Sequence, residues 1–208
     1  MKSKLYKTCE FFIIFILLPV SFIFPYAVYV KLGLGVVGFA YVIYMLLKIE
    51  NQEFTINKHL NWYKFWKVTL LKFFVIAVLT TFFVYITNKS LLFQVVLNKP
   101  KMWLVILFVY SLFSVYPQEL LYRTFFHVRY SDLVSNTKGL IFINALVFSL
   151  GHIFFKNALV LLFTFIGGLL FAITFVKTKS TVLVSVEHAI YGCWLFTVGL
   201  GEMLGFPT

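Results

Sequence analysis

Apolar residues run along this chain in long blocks, separated by short polar or cationic punctuation. A hydrocarbon core about 30 Å thick needs around 20 helical residues, and somewhat fewer when flanking lysines snorkel. Seven blocks meet that standard: Phe11–Val30, Leu32–Leu47, Phe65–Thr87, Lys101–Tyr116, Gly139–Phe155, Ala158–Val176 and Thr181–Met203. The pattern predicts an all-α, polytopic transmembrane helical bundle of about seven spans. Gly33, Gly35 and Gly38 make the second block the poorest helix former. They are expected to let another backbone approach closely, as are Gly167 and Gly168 in the sixth. Lys2, Lys4 and Lys7 before the first block resemble a signal peptide's charged start. That block is near bilayer length and no A-x-A site follows it, so it reads as a retained span. No repeat interrupts the pattern, and residues 1–208 read as one integral-membrane domain.

Composition sharpens this. Hydrophobic residues make up 62% and charged residues 12%, against roughly 45–50% and 25% in soluble domains. A soluble globular enzyme, a disordered chain and a secreted disulfide scaffold are all excluded. The net charge of +11 would suggest nucleic acid in a soluble protein. Here the cations lie between apolar runs, so they face lipid headgroups and no nucleic acid is expected. With the N-terminus in the cytoplasm, the inner segments hold Lys2, Lys4, Lys7, Lys48, Lys58, Lys64, Lys67, Arg123, Arg129, Lys138, Lys177 and Lys179. The outer ones hold Lys31, Lys89, Lys99, Lys101 and Lys156, and Lys72 falls near the inner face. That bias predicts an N-in, C-out protein, and the expected location is the plasma membrane of a prokaryote. Cys9 and Cys193 form no CxxC and read as packing residues.

Ionisable groups inside apolar spans are costly and are functional candidates by default. Glu10, Glu50, Glu53 and Asp132 fall in tails or loops and are expected to be solvated. His59 lies in a polar loop, and His127 and Glu202 are expected at an interface. Glu119, Glu187, His152 and His188 remain. Glu119 and Arg123 are four residues apart and share a helical face. Pro117 marks either a kink or a new helix. Asn144 lies two turns before His152, and Gly151 leaves room for close approach. A Glu, an Arg and two His that converge can activate a water and stabilise an oxyanion, or hold a metal. No H-E-x-x-H is present.

Three segments carry this chemistry: Gln118-Glu119-Leu120-Leu121-Tyr122-Arg123, Phe148-Ser149-Leu150-Gly151-His152, and His188-Ala189-Ile190-Tyr191-Gly192. Together, across 117–199, they resemble the CPBP family of intramembrane proteases, which includes CAAX prenyl proteases and bacteriocin-processing or immunity proteins. Its pattern is E-E-x-x-x-R, F-x-x-x-H and H-x-x-x-N. The resemblance implies an endopeptidase that hydrolyses a peptide bond of a membrane-associated or lipidated substrate with a Glu/His-activated water. It assigns catalysis to Glu119, Arg123, His152 and His188, with Gln118, Asn144 and Phe148 in support. Whether the mechanism is glutamic or metallo stays open. A divalent metal such as zinc would fall to Glu119, His152 and His188. Two positions depart from the pattern: Gln118 replaces the first Glu and Gly192 the Asn. An amide cannot act as a general base, so an inactive relative serving as a membrane binding or immunity module is the alternative. A proton-coupled carrier is a third reading, weakened by the absence of an inverted repeat. Depth poses a further test. With straight spans, Glu119 lies near the inner face, His188 about 10 Å into its span, and His152 beyond the midplane. A helix tilted inward from Pro117, or a fifth span starting nearer Val134, would bring them to one level.

Overall fold

The computed structural model describes residues 3–52 and 60–205; Lys2, Glu53, Lys58 and His59 lie outside the described residues. Among the described residues, a first helix, α1 (4–21), precedes six that are long and apolar enough to cross a membrane. These are α2 (Val28–Ile49), α3 (Trp62–Leu91), α4 (Pro100–Tyr130), α5 (Thr137–Phe155), α6 (Ala158–Thr178) and α7 (Thr181–Val198). Polar residues set their starts. Asn61, Asn136, Asn157 and Ser180 accept backbone N–H bonds at the heads of α3, α5, α6 and α7, each cap contributing about 1 kcal/mol.

The expected first span, Phe11–Val30, is not one helix. Pro25 lacks a backbone donor and disfavours helical geometry in the residue before it. The chain leaves the helix after Ser21 and re-enters at Val28. The helical stretch is instead shifted toward the N-terminus. Lys4, Lys7 and Glu10 put three charged residues into the 18 of α1, which sets it apart from the six. It still runs the length of the bundle: Lys7 pairs with Asp132 at one end (2.9 Å), and Leu18–Ser21 packs on Ile153–Phe155 at the other.

That shift overturns the solvated reading of Glu10, while Glu50 stays partly exposed. Glu10 lies inside α1 and is buried, where Arg129 Nε donates to it at 2.8 Å and the Tyr41 hydroxyl also donates. Arg129 Nη1 donates to Glu50 at 2.6 Å, and Arg129 itself is 2% exposed. Glu10 and Arg129 come inside because α1 starts early and α4 runs late. They come in paired, because a lone buried charge would cost several kcal/mol.

The expected fourth span, Lys101–Tyr116, continues to Tyr130. Pro117 neither starts a helix nor stops one. A π-helical turn, Tyr110–Val115, precedes it and another, Leu120–Phe125, follows. Such turns shift the hydrogen-bond ladder and absorb a missing donor within a membrane helix. Glu119 is therefore about 15 Å from the Tyr130 end of α4, rather than at the end of a span. The depth mismatch disappears at this helix, through neither of the two routes foreseen for it.

The glycine expectations divide. A Cβ on Gly33 or Gly35 would meet nothing within 4 Å, so α2 does not pack through them; it packs through Val42, Met45 and Leu46. Gly168 does serve a close approach: a Cβ there would stand 2.9 Å from the Ala145 Cα. Helices α5 and α6 thus touch backbone to backbone. The core beside them is aromatic, with Phe15, Phe125, Phe126, Tyr130 and Phe148 almost wholly buried.

Candidate active site

Helix α4 turns Glu119 toward α7 and Arg123 toward α5. Glu119 is fully buried and has two partners. His188 Nδ1 lies 2.7 Å from its Oε1, and Arg123 Nε lies 3.2 Å from its Oε2. Arg123 is also fully enclosed. Its Nη1 donates to Asn144 Oδ1 at 2.7 Å, and its guanidinium carbon sits 4.5 Å from the centre of the Phe148 ring. Asn144 completes the brace by donating to the Tyr122 carbonyl. The sequence motif therefore folds into a matched ion pair with a polar clamp and an aromatic floor.

Two histidines face a cavity of about 420 Å³ between α3, α4, α5, α6 and α7. A carboxylate accepts, so the His188 Nδ1 proton points at Glu119, and Nε2 keeps its lone pair. The Tyr110 hydroxyl lies 3.0 Å from that Nε2 and donates to it. His152 Nδ1 lies 2.8 Å from the Phe148 carbonyl, which also can only accept. In the neutral ring this leaves His152 Nε2 as a base, on a residue that lines the cavity. Phe148 lies between the two histidines, 4.8 Å from one ring and 5.8 Å from the other. Phe171 stacks on His188 at 4.3 Å.

Placement separates the expected residues. His152, His188, Gln118 and Phe148 line the cavity. Glu119, Arg123 and Asn144 stand behind its wall. Gln118 Nε2 donates to Ser114 at 2.7 Å, while its buried Oε1 has no protein donor. Glu187 turns away from His188, and its Oε1 accepts from Lys72 Nζ (2.9 Å) and the Tyr191 hydroxyl (2.8 Å). His127 is buried, not interfacial, with its ring against Phe126 and Phe175. Cys9 and Cys193 are free thiols.

Tyr110 is the residue that sequence reasoning missed. It lies in a run that reads as plain membrane helix, eight residues before Gln118. Its signal is Gly192, the apparent gap in the third motif. A Cβ at Gly192 would overlap the Tyr110 hydroxyl. The glycine makes room for a hydroxyl beside His188. Gly151 does the same for the hydroxyl of Tyr122 on the same wall.

The metal set implied by the resemblance was Glu119, His152 and His188. Among the described residues, no three His, Cys, Asp or Glu side chains are grouped to hold an ion. Glu119 spends its oxygens on His188 and Arg123, and His152 Nδ1 is held by a carbonyl. These residues do not fit a three-ligand site as they stand.

Fold and site thus define a polytopic helical membrane protein with a histidine-lined cavity backed by a buried Glu–Arg pair. Residues 100–194, a little under half of the chain, match the family described as type II CAAX prenyl endopeptidase Rce1-like, that is, the CPBP family. The match spans Tyr110, Glu119, Arg123, Asn144, Phe148, His152, His188 and Gly192, and it supports a CAAX-type intramembrane endopeptidase. Neither the curated proteins nor the solved structures contain a match to the chain.

Proposed function

We propose that the protein is an intramembrane endopeptidase in which His152 activates the attacking water. The observation that carries this reading is the hydrogen-bond chain Glu119–His188–Tyr110, ending on a cavity that His152 also lines. His152 Nε2 takes a proton from water as the oxygen attacks the carbonyl carbon. The Tyr110 hydroxyl turns from His188 toward the carbonyl oxygen and donates to the developing oxyanion, with Tyr122 as a second donor. The carbon–nitrogen bond then breaks, and His152 returns its proton to the leaving nitrogen.

Glu119 acts through His188, not on water. It fixes the ring's tautomer and orientation, and Arg123 balances its charge. Gln118 Oε1 can orient the water by accepting from it. The protein sits in a prokaryotic plasma membrane with its N-terminus cytoplasmic, a reading supported by the lysines around α1 and the α2–α3 and α6–α7 connections. The partners are the bilayer and a membrane-associated or lipidated peptide.

The test is a quenched peptide library assayed on purified wild type and Glu119→Gln in parallel. Loss of at least about tenfold in turnover with peptide binding retained supports the positioning role. Equal turnover in both proteins contradicts it. A second reading, a non-catalytic binding module, is favoured by one feature: the cavity-facing member of the Gln118–Glu119 pair is the amide. Binding without cleavage by the wild type would select it.

A further inference from the structure

The cavity wall has a chemical character that the motif residues do not explain. Phe163, Leu170, Phe171, Phe196 and Met203 make up much of it, and none of the described residues lining it is Lys, Arg, Asp or Glu. The charges nearby are already matched. Arg123 is sealed with Glu119 and Asn144, and Lys72 is held by Glu187 and Thr174 behind Tyr191. His188, with its Nδ1 proton held by Glu119 at 2.7 Å and its Nε2 accepting from Tyr110, is a neutral ring in this arrangement. Lys156 follows the lining residue Phe155, but it is exposed at the end of the bundle.

A CAAX-type substrate carries a free carboxylate at the end of a four-residue motif. Such a group must be paired when it leaves water, since an unpaired buried charge is heavily penalised. This cavity has neutral hydroxyls, an amide, apolar rings and two neutral imidazoles to offer, and the His152 and His188 Nδ1 positions are already engaged by the Phe148 carbonyl and Glu119. We propose that it admits an uncharged, apolar stretch internal to the substrate chain, and that it does not read a free C-terminal carboxylate. The inference rests on the peptidase reading for cleavage, but not for binding.

Three fluorescent peptides with one apolar sequence test it on the full-length protein in detergent. One ends as a free acid within four residues of the apolar core, one ends there as an amide, and one continues for ten more residues. Binding is followed by anisotropy on wild type and His152→Ala, and cleavage on wild type. The amide and the extended peptide are expected to bind at least about tenfold more tightly than the acid. Where the wild type cuts, kcat/KM follows the same order. An acid that binds as tightly as the amide overturns the proposal, as does failure of all three to bind. An acid preference that vanishes in Lys156→Ala also overturns it, and assigns carboxylate reading to that lysine. Amide preference without cleavage leaves the cavity's selectivity standing and removes the peptidase reading.

Discussion

At the scale of single residues, the decisive fact is that Glu119 and Arg123 are both fully buried and matched to each other. Removing one partner of such a pair leaves an uncompensated charge, whereas removing both often costs little. Glu119→Gln is therefore expected to destabilise the protein by about 3–5 kcal/mol, and adding Arg123→Met to recover most of that loss. Denaturant unfolding in detergent measures both. Equal destabilisation by the single and double variants would show that the pair is not the reason.

The same scale holds the Gly192–Tyr110 contact. Gly192→Ala forces its methyl onto the Tyr110 hydroxyl, and overpacking of this kind costs about 1–3 kcal/mol. Tyr110→Phe removes the nearest contact but leaves the ring carbons Cε1 and Cζ 2.5 Å from that methyl, so it relieves the clash only in part. The double variant is expected to regain part of the stability lost in Gly192→Ala alone while remaining poor in turnover. Restored turnover would mean that the hydroxyl has no part in the chemistry.

At the scale of helices, the sequence carried the local patterns and lost the distant ones. Glu119 and Arg123 are four residues apart, so helical geometry made their pairing readable from the chain, while Phe148 and His152 were legible only through the family pattern. The extension of α4 through Pro117 was not readable. It depends on two π-helical turns, and no residue pattern announces those. Without it, Glu119 appeared too shallow to meet His188. Tyr110 stayed hidden because its partner is 78 positions away. Glu10 looked like a solvated tail residue because Arg129, 119 positions later, lay in what read as a loop. The glycines of α2 misled for the opposite reason: small residues permit a close approach, but only packing decides whether one occurs.

At the scale of the whole molecule, α1 is fastened to the motif-bearing helices by charge. Arg129 holds Glu10 and Glu50 together and links α1, α2 and α4. Arg129→Ala would leave two acids unpaired at that junction. It is expected to cost about 3–5 kcal/mol and to raise hydrogen exchange in 4–21 above that in α5 and α6. Uniform exchange across all helices would contradict the fastening role. Lys7 and Asp132 make a more exposed link at the same end. The Lys7 ammonium, hydrogen-bonded to Asp132, holds that carboxyl below its ordinary value of 3.8. A depressed carboxyl stabilises the fold above its unfolded value and loses that effect as pH falls through its folded value. The difference in melting temperature between wild type and Lys7→Ala is therefore expected to be present at neutral pH and to shrink below about pH 4. A difference that grows on acidification would contradict that sign.

The central claim is that His152, presented to an apolar cavity with its Nδ1 proton tied to the Phe148 carbonyl, activates water for peptide cleavage. The most direct measurement is turnover of a quenched apolar peptide by wild type and His152→Ala, with peptide binding measured on the same preparations. The account predicts cleavage by the wild type and a fall of at least about a hundredfold in kcat for the variant, with binding little changed. Equal turnover by the two proteins would contradict it.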